Sequence, residues 1–420
     1  MGTMRKADEA RIEQLLTRNV EHVIDKGHLK EKLRSGKKLR IKLGIDPTSP
    51  DLHLGHAVVL WKLREFQDLG HTIVLIIGDF TAQVGDPSGK TRTRPPLTEA
   101  EVKRNMKDYI AQASRVLNMR KVEIHYNSEW LKKLDGKKML QLLASLTTQQ
   151  ILEREDFQKR LGANQPVHLH ELIYPVLQAY DSVAIKADLE CGGTDQLLNL
   201  LVGRTLMGRR ELPPQDVLTV PLLEGLDGVR KMSKSLKNYI SLSEEPHEMY
   251  GKVMSIPDSL IVRYFWLTTD VAEREIKDFE FKLANRQVNP KEVKSRLAFE
   301  IVQRYHGEKA AQAAIERFDT LFSKGELSGE LPTLVLQSAK AAEAVPALEA
   351  VKIPAVEIVV ASKLAESKSE ARRLVLQGGL RVNNAAYKNP AELVFIRTGD
   401  AVKIGKRHFF RVKVEFQPGA

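Results

Sequence analysis

The sequence predicts an α/β protein in three parts: a doubly wound, mostly parallel sheet domain, a helical region and a small α+β module. From about residue 37 to 240, apolar strand-like runs alternate with helical stretches, as in a doubly wound sheet. From Glu245 to Phe322 the apolar spacing is helical throughout. From Ile353 onward, two short helical stretches precede alternating strand-like runs, which indicates a separate folded module.

Length and composition limit the class of protein. A chain of 420 residues suggests two or three domains. Its 42% hydrophobic and 28% charged residues are typical of a soluble globular protein, and no apolar run approaches the length of a membrane span. The first ten residues contain no apolar signal region, and the single Cys191 rules out an intrachain disulfide framework. We therefore expect a cytoplasmic protein, whose net charge of +11 suits a polyanionic partner without identifying one.

Changes in composition along the chain predict the domain boundaries. A run such as Thr72 to Gly78, between two helical stretches, is typical of a buried strand, whereas Gly325, Gly329, Pro332 and Pro346 indicate a linker. The predicted order is an N-terminal helical segment (1–36), the sheet domain (37–244) with a helical insertion (about 98–165), a helical domain (245–322), a linker (323–352) and the C-terminal module (353–416).

The first chemical motif lies where a predicted strand leads into a predicted helix. Leu39 to Leu43 alternates apolar and basic residues, and the segment after Gly55 has apolar residues at helical spacing until Gly70. His53-Leu54-Gly55-His56 therefore opens a helix, whose free amides and dipole attract phosphate. Gly55 has no side chain, so a base or ribose can approach its backbone closely. Two loop histidines without a role are the alternative.

A second motif, Lys231-Met232-Ser233-Lys234-Ser235, follows the turn-forming residues Leu226-Asp227-Gly228. Lysine combines a compact charge with three N–H donors, so two lysines three residues apart suit a mobile loop that closes on polyphosphate. A Lys/Ser loop on its own is more often solvated surface. It is the occurrence of both motifs, in this order on an alternating strand–helix chain, that indicates a nucleotide site.

A third set of residues lies on one predicted helix. Tyr174, Gln178 and Asp181 recur at i, i+4 and i+7, so the three side chains face the same space. If Asp181 is buried and accepts a hydrogen bond from a phenol, it rejects phenylalanine, because the carboxylate would lose its partner. An ordinary amphipathic helix surface is the alternative for Tyr174 and Gln178.

These motifs resemble those of a known family. The first two resemble the HIGH and KMSKS signatures of class I aminoacyl-tRNA synthetases. Three further stretches resemble motifs of the tyrosyl-tRNA synthetases: Gly85-Asp86-Pro87-Ser88-Gly89-Lys90, Tyr174 to Asp181, and Gly192-Gly193-Thr194-Asp195-Gln196. The resemblance implies a Rossmann-like class I synthetase catalytic domain with a helical insertion that carries a dimer interface. It also implies that the α-helical domain contacts the anticodon arm of tRNA.

The resemblance also implies roles for individual residues. Tyrosine would be bound at its ammonium, phenol and carboxylate ends by Asp86, Tyr174, Gln178, Asp181 and Gln196. ATP would be bound by Asp46, Thr48, His53, Gly55, His56, Gly193, Asp195, Lys231, Ser233, Lys234 and Ser235. The residues expected to act on the phosphates during catalysis are His53, His56, Lys231, Lys234, Lys90 and Arg94.

Two departures from the family stand out. Many tyrosyl enzymes have a tyrosine at the end of the first strand that helps to bind the substrate hydroxyl, whereas this chain has Lys42-Leu43-Gly44 there. Asn127 is a possible replacement. The second loop is a full KMSKS sequence, which resembles a second bacterial subgroup of these enzymes. The lone Cys191 beside Gly192 is interpreted as a small buried residue and not as a nucleophile.

The C-terminal module resembles the RNA-binding domain of the ribosomal S-four type. Ser367 to Asn383 carries the resemblance, and two short helices and a turn leading into a strand would place Lys368, Arg372, Arg373 and Arg381 on one face. Residues 353–416 contain 12 Lys and Arg against 6 Asp and Glu, a net charge of +6 that suits phosphate contacts. A solubilising basic tail is the alternative, and the predicted strands at 401–404 and 409–416 argue against it.

The resemblance implies a tyrosine–tRNA ligase, which forms tyrosyl-adenylate and pyrophosphate from tyrosine and ATP and then transfers the tyrosyl group to the 3′ end of tRNA(Tyr). Mg²⁺ would accompany ATP, with no tightly bound cofactor and no dedicated metal site, and a homodimer is expected from the family. A tryptophan–tRNA ligase of the same fold and a non-catalytic, synthetase-derived RNA-binding protein remain as alternatives.

Overall fold

The fold is described from a computed structural model, which covers residues 9–47, 51–86, 98–322, 331–383, 385–405 and 408–416. The chain divides into two compact units, Met1–Ile315 and Glu316–Ala420. No helix in these described ranges is long and apolar enough to cross a membrane.

The first unit is built around one six-stranded sheet. Its strands are β1 (His22–Ile24), β2 (Arg40–Ile45), β3 (Thr72–Ile77), β4 (Val122–Tyr126), β5 (Leu189–Gly193) and β6 (Asp216–Val220). Its helices are α1 (Glu9–Thr17), α2 (Lys26–Arg34), α3 (Leu54–Asp68), α4 (Thr81–Val84), α5 (Glu99–Ala113), α6 (Ser128–Leu131), α7 (Gly136–Leu143), α8 (Thr148–Leu152), α9 (Glu155–Gly162), α10 (Leu169–Ile185), α11 (Leu197–Arg209), α12 (Pro246–Met254), α13 (Ile261–Thr268), α14 (Glu273–Ala284), α15 (Pro290–His306) and α16 (Glu308–Phe322), which continues into the second unit.

The strand order of this sheet determines where a ligand can bind. The order is β1-β6-β5-β2-β3-β4, with β2 to β6 parallel and β1 antiparallel at the edge. The apolar side chains of β3 are buried on both faces, as expected for a parallel strand between two helix layers. The chain order reverses between β2 and β5. A crevice therefore opens at the carboxyl ends of these two strands, where open α/β sheets bind ligands.

Two boundaries predicted for this unit are wrong in detail. The N-terminal segment 1–36 is not purely helical, because β1 pairs with β6 at the sheet edge. The predicted helical insertion at 98–165 contains β4, which pairs with β3 in the central sheet. The part of the insertion that is purely helical runs from α6 to α9, between β4 and α10. Short strands among charged helices give a weak periodic signal, which explains both errors.

The region from 245 to 322 is helical, as the sequence predicts, but it is not a separate compact unit. Helices α12 to α15 belong to the same unit as the sheet, and the division of the chain falls within α16. Tyr250 on α12 and Ser295 on α15 join two of these helices through a 2.7 Å hydrogen bond between their hydroxyl groups.

The second unit is an α+β module, as predicted. Its strands are β7 (Thr333–Gln337), β8 (Glu343–Val345), β9 (Ala350–Pro354), β10 (Leu380–Val382), β11 (Ala385–Tyr387), β12 (Leu393–Arg397), β13 (Ala401–Ile404) and β14 (His408–Glu415), and its helices are α17 (Ala355–Ala361) and α18 (Lys368–Leu376). They form a five-stranded sheet, β11-β10-β13-β14-β7, and a three-stranded sheet, β12-β9-β8. One apolar core joins both sheets to the helices.

The predicted linker at 323–352 is wrong in its described part. Strand β7 pairs in parallel with β14, and β8 pairs with β9. Leu334 and Leu336 on β7 lie in the core of the module. Pro332 and Pro346 flank strands here, which is why the composition resembled a linker.

Candidate functional site

A cavity of about 300 Å³ lies at the carboxyl ends of the central strands. The end of β2, the start of α3, helix α10 and the segments after β5 and β6 line it. The predicted residues on its wall are Asp46, His53, Gly55, His56, Asp86, Tyr174, Gln178, Asp181, Gly193, Asp195, Gln196, Lys231 and Ser233. Both motifs and the α10 triplet, which are far apart in sequence, therefore meet in one place. Thr48, Lys90 and Arg94 lie outside the described residues.

His53 and His56 lie at the start of α3, on the wall of the cavity. His53 is the residue before the first turn, and its backbone N–H donates to Nδ1 of His56 at 3.3 Å. Their rings are in contact, with centroids 3.8 Å apart and planes tilted by 32°. Burial holds the pKa of His53 well below its usual range, and the charges of His56, Lys234 and Lys231 act in the same direction. Nδ1 of His53 has no hydrogen-bond partner among the described residues. His53 also lines the cavity, so its neutral imidazole can meet a phosphate or ribose oxygen there.

Gly55 lies close to the His53 ring and to the second loop. A Cβ atom there would lie 3.1 Å from the His53 ring and 3.5 Å from Cβ of Met232. The missing side chain therefore makes room for the His53 ring and the second loop. Access of a base to the Gly55 backbone stays a prediction.

The Lys231 to Ser235 loop is folded against the cavity. Met232 is buried, and the Lys231 ammonium lies 2.7 Å from a carboxylate oxygen of Asp195. Lys234 and Ser235 follow in a 3-10 helix (Lys234–Leu236) and do not line the cavity wall. The positive charge of Lys234 nevertheless contributes to the lowered pKa of His53.

Asn238, which the sequence analysis missed, anchors this loop. Its side-chain oxygen accepts from the N–H of Ser233 at 2.8 Å, and its amide donates to Asp227 at 3.0 Å and to the Lys231 carbonyl at 3.2 Å. Asn238 is buried, so these bonds are shielded from water. No local pattern distinguishes it from other polar residues after the motif.

Helix α10 presents Tyr174, Gln178 and Asp181 to the cavity, as their spacing predicts. The Tyr174 hydroxyl donates to Oδ2 of Asp46 at 2.9 Å, and Oδ1 of Asp46 accepts from Thr81 at 2.7 Å. Burial, together with nearby carboxylates, raises the pKa of Tyr174, so its phenol stays neutral. Asp46, predicted to contact ATP, thus orients Tyr174 in this structure.

Asp181 lies at the inner end of the cavity. Burial raises the pKa of its carboxyl to about 7, against the opposing effects of Lys42 and of bonds from Trp130 and Asn127. The Trp130 indole donates at 2.8 Å and the Asn127 amide lies at 3.4 Å. Asn127, named as a possible contributor, therefore contacts Asp181 and lines the cavity. Trp130 was missed, although it follows Asn127 by three residues.

A network of side-chain amides connects Gln178 to Asp86. Asn199 donates to Gln178 at 3.2 Å and to Gln196 at 2.9 Å, and Gln196 donates to Asp86 at 3.2 Å. The carboxylate of Asp86 and the oxygens of Tyr174 and Gln178 offer acceptors for an ammonium group. Cys191 is buried in β5, and burial raises the pKa of its thiol, which agrees with its interpretation as an inert residue.

The predicted RNA-binding residues lie in the second unit. Lys368, Arg372 and Arg373 on α18, and Arg381 on β10, are all exposed. Arg372 and Arg373 are consecutive on a helix, so their side chains point about 100° apart. The predicted RNA-binding face must therefore span at least that angle around α18. Lys368 also pairs with Glu357 at 2.5 Å.

Comparison with known proteins decides the family. Residues 6–323 match the class I tRNA synthetases (W and Y), and residues 356–396 match the S4 domain. The chain is 47% identical over 401 residues to the tyrosine–tRNA ligase of Dehalococcoides mccartyi, covering 96% of this chain and 98% of that relative. It is 46% identical over 399 residues to the tyrosine–tRNA ligase of Thermotoga maritima, covering 95% and 96%. The chain belongs to the class I tRNA synthetases.

The resemblance drawn from the motifs is thereby confirmed. A solved structure of a C-terminally truncated mitochondrial tyrosyl-tRNA synthetase of Aspergillus nidulans matches this synthetase with a TM-score of 0.61 at 22% identity, covering 75% of this chain and 95% of that chain. At this identity the likeness concerns the fold, and it confirms the predicted Rossmann-like catalytic domain. A class I synthetase uses ATP as a substrate, which agrees with the two phosphate-binding motifs.

Proposed function

We infer that this chain is a tyrosine–tRNA ligase. The observation that carries the inference is the single cavity in which His53, Lys231 and the α10 triplet meet, because it puts a nucleotide site beside a pocket with a buried carboxylate. The tyrosine–tRNA ligases with 46–47% identity support the same substrate. The reaction joins the tyrosine carboxylate to the α-phosphate of ATP, releases pyrophosphate, and then transfers the tyrosyl group to a ribose hydroxyl at the 3′ end of tRNA(Tyr).

In the proposed complex, tyrosine lies along the axis of the cavity. Asp86, Tyr174 and Gln178 hold its ammonium group, and Asp181 accepts a hydrogen bond from its phenol. Gln196 faces the activated carboxylate. This arrangement discriminates against phenylalanine, since binding without a hydroxyl leaves the buried Asp181 short of a partner.

ATP lies at the other end of the cavity, against the start of α3. His53 and His56 donate to phosphate oxygens, and the helix N-terminus adds its dipole. Asp195 accepts from the ribose hydroxyls once Lys231 turns to the β- and γ-phosphates. Gly193 leaves room there, because a Cβ atom would lie 2.8 Å from the Asp195 carboxylate.

The chemical step needs no protein nucleophile. The substrate carboxylate attacks the α-phosphate, and Lys231 and Lys234 stabilise the charge that develops on the leaving pyrophosphate. Lys90 and Arg94, outside the described residues, complete this set in the proposal. Mg²⁺ arrives with ATP and is held mainly by phosphate oxygens and water, as this ion prefers.

Three further proposals concern the surroundings of the enzyme. Leu140, Leu161 and Leu169 on α7, α9 and α10 are 70%, 45% and 79% exposed, and this apolar surface supports a homodimer. The single reduced Cys191 supports a cytoplasmic location. The basic residues of the S4 domain support binding to the backbone and shape of tRNA.

The decisive experiment is ATP–pyrophosphate exchange with each of three amino acids. Tyrosine should drive exchange, with phenylalanine and tryptophan at background. Exchange driven by tryptophan alone would point to the tryptophan enzyme, and tRNA binding with no exchange at all would indicate a non-catalytic RNA-binding protein.

A second experiment tests the S4 domain in the full chain. Replacing Lys368, Arg372, Arg373 and Arg381 by Gln should weaken tRNA charging and reduce its dependence on salt, while tyrosine-dependent exchange is unchanged. A parallel loss of exchange would mean that these residues support the fold and not RNA binding.

A further inference from the structure

A buried ion pair lies under the tyrosine end of the cavity. Lys42 on β2 and Glu190 on β5 are direct partners in the register of the sheet, and their charged groups are 2.8 Å apart. Their side chains are 0% and 1% exposed. A buried ion pair is costly unless its geometry and remaining hydrogen bonds are good, so its presence beside a ligand site calls for a functional explanation.

All three N–H donors of Lys42 have protein acceptors. Nζ donates to Glu190, to the hydroxyl of Ser182 at 2.8 Å and to the backbone carbonyl of Gln178 at 3.0 Å. Ser182 and Gln178 belong to α10. Lys42 therefore has no donor left for a substrate, and it fixes the position of the helix that carries the proposed tyrosine ligands.

Glu190 completes the connection from the other side. Its Oε2 accepts from Gln215 at 2.5 Å and from Ser182 at 3.1 Å, and Glu190 itself lines the cavity. Close packing by α11 keeps water out of the pair, since a Cβ atom at Gly203 would lie 2.7 Å from Gln215 and 3.3 Å from Glu190.

The pair also touches the amide network at the ammonium end. The Gln178 amide lies 3.5 Å from Oε1 of Glu190, and Gln178 accepts from Asn199, which in turn holds Gln196 against Asp86. Displacing Glu190 would therefore disturb the side chains at the ammonium end of the pocket.

We propose that the Lys42–Glu190 pair sets tyrosine selectivity in this chain by fixing helix α10, and with it Gln178 and Asp181, in position against the sheet. Lys42 and Glu190 are positioning residues, because they act through α10 and do not touch the substrate. The inference rests on the proposed function.

The test compares Lys42→Met, Glu190→Gln and the double variant in tyrosine-dependent ATP–pyrophosphate exchange. Each single variant should raise KM for tyrosine at least tenfold and lower the preference for tyrosine over phenylalanine, with KM for ATP changed less than twofold. The double variant should lose less than the two single losses together, because it leaves no buried charge without its partner.

Lys62→Met is the matched control. Lys62 is also almost fully buried and is held by Glu65 at 2.6 Å and by the Leu15 carbonyl at 3.0 Å, but its partner Glu65 does not line the cavity, whereas Glu190 does. This variant should lower thermal stability and leave KM for tyrosine unchanged. An equal rise in KM would mean that any buried lysine in this sheet domain has the same effect, which overturns the proposal.

The pH profile gives a readout that general destabilisation does not move. The charged or titratable groups around Asp181 are Lys42 on β2, Glu190 on β5 and Tyr174 on α10, while Trp130 and Asn127 donate to it. Lys42 favours the ionised carboxylate, so the pH below which KM for tyrosine rises should move upward in Lys42→Met. An unmoved profile contradicts the proposal.

Other outcomes are equally decisive. Unchanged KM and unchanged discrimination in a folded Lys42→Met chain overturn the inference, as does strict additivity in the double variant. If Lys42→Met does not fold, Glu190→Gln carries the test, since it keeps the shape of the side chain and removes only the charge. Absence of tyrosine-dependent exchange in the unaltered chain would overturn the proposed function itself, which separates the two failures.

Discussion

Two lysine–carboxylate pairs in this cleft have nearly the same geometry and very different surroundings. Lys42 and Glu190 are 2.8 Å apart with side chains 0% and 1% exposed, whereas Lys231 and Asp195 are 2.7 Å apart with side chains 34% and 23% exposed. Separating the buried pair leaves two charges without water or partner, which is strongly unfavourable. Separating the half-exposed pair costs little, because water replaces the lost contact.

The contrast divides the cleft into a fixed end and an exchangeable end. At the proposed tyrosine end, the buried Lys42 bonds helix α10 through the Gln178 carbonyl and the Ser182 hydroxyl. The nucleotide end contains the Lys231 loop, whose ammonium group can exchange Asp195 for phosphate. In the proposed function, selectivity for tyrosine requires a fixed pair, whereas adenylate formation with release of pyrophosphate requires a lysine that can change partners.

The largest expected effect belongs to the exchangeable pair. Lys231→Met should lower kcat for adenylate formation by roughly 10²–10³-fold, because it removes a charge that acts on the leaving pyrophosphate. KM for tyrosine should change less than twofold, since the fixed end is untouched. Rapid-quench measurement of adenylate formation checks this.

Lys26→Met is its control, since it removes a 2.7 Å ion pair with Glu13 that does not line the cavity. It should leave both parameters unchanged. A large rise in KM for tyrosine in Lys231→Met would break the division of the cleft into two ends.

The next effect concerns Asp181 and selectivity. Asp181→Asn replaces a charged acceptor by a neutral one, so the ratio of kcat/KM for tyrosine over phenylalanine should fall by about 10²-fold, with KM for ATP little changed. Asp216→Asn is a matched control, because Asp216 is also fully buried but does not line the cavity. Retained selectivity would remove Asp181 from the proposed pocket.

Asp181→Asn should also make the folded chain more stable than the unaltered chain at high pH. The folded pKa of Asp181 is raised from 3.8 to about 7 by burial, so the folded chain holds this proton more tightly than the unfolded chain. Stability contributed by the protonated form is present below about pH 4 and is lost as pH rises to about 7.

Asp181→Asn cannot ionise and should keep that stability. Its amide has one acceptor oxygen, whereas the carboxylate offers two, to Trp130 and Asn127, so part of this gain is offset. We expect the free energy of unfolding to rise by roughly 2 kcal/mol at pH 8 and to change little at pH 4. Denaturant unfolding at the two pH values measures the difference. A loss of stability at pH 8 would show that the fixed end depends on the ionised carboxylate.

Local patterns predicted the exchangeable end better than the fixed end. The helix opened by His53 and the Lys231 loop are continuous motifs, whereas at the fixed end only the α10 triplet follows from a local pattern, its 3.6-residue period. Lys42 and Glu190 are far apart in sequence, and a lysine within a strand is ordinarily exposed. Their pairing depends on the β2–β5 register, which no local pattern specifies.

The same reasoning explains the errors outside the cleft. Strands β1, β4 and β7 were missed because each is short and has charged or proline-rich neighbours. What recruits them is pairing with a strand distant in sequence: β6, β3 and β14 respectively. By contrast, β13 and the second half of β14 alternate between buried and more exposed residues, and the two strands are adjacent in sequence, so they were predicted.

The smallest expected effect concerns Asn238, the anchor of the exchangeable end. Asn238→Ala removes bonds to Ser233, to Asp227 and to the Lys231 carbonyl, so the loop should sample positions in which Lys231 is misplaced. KM for ATP should rise about tenfold, the value of one or two hydrogen bonds, with KM for tyrosine unchanged. Gly225→Ala should act in the same way, because its Cβ would lie 2.3 Å from the Asn238 side chain. If both variants instead raise KM for tyrosine and ATP equally, the loop and the α10 pocket move as one body, and the difference in burial between the two ion pairs does not separate their functions.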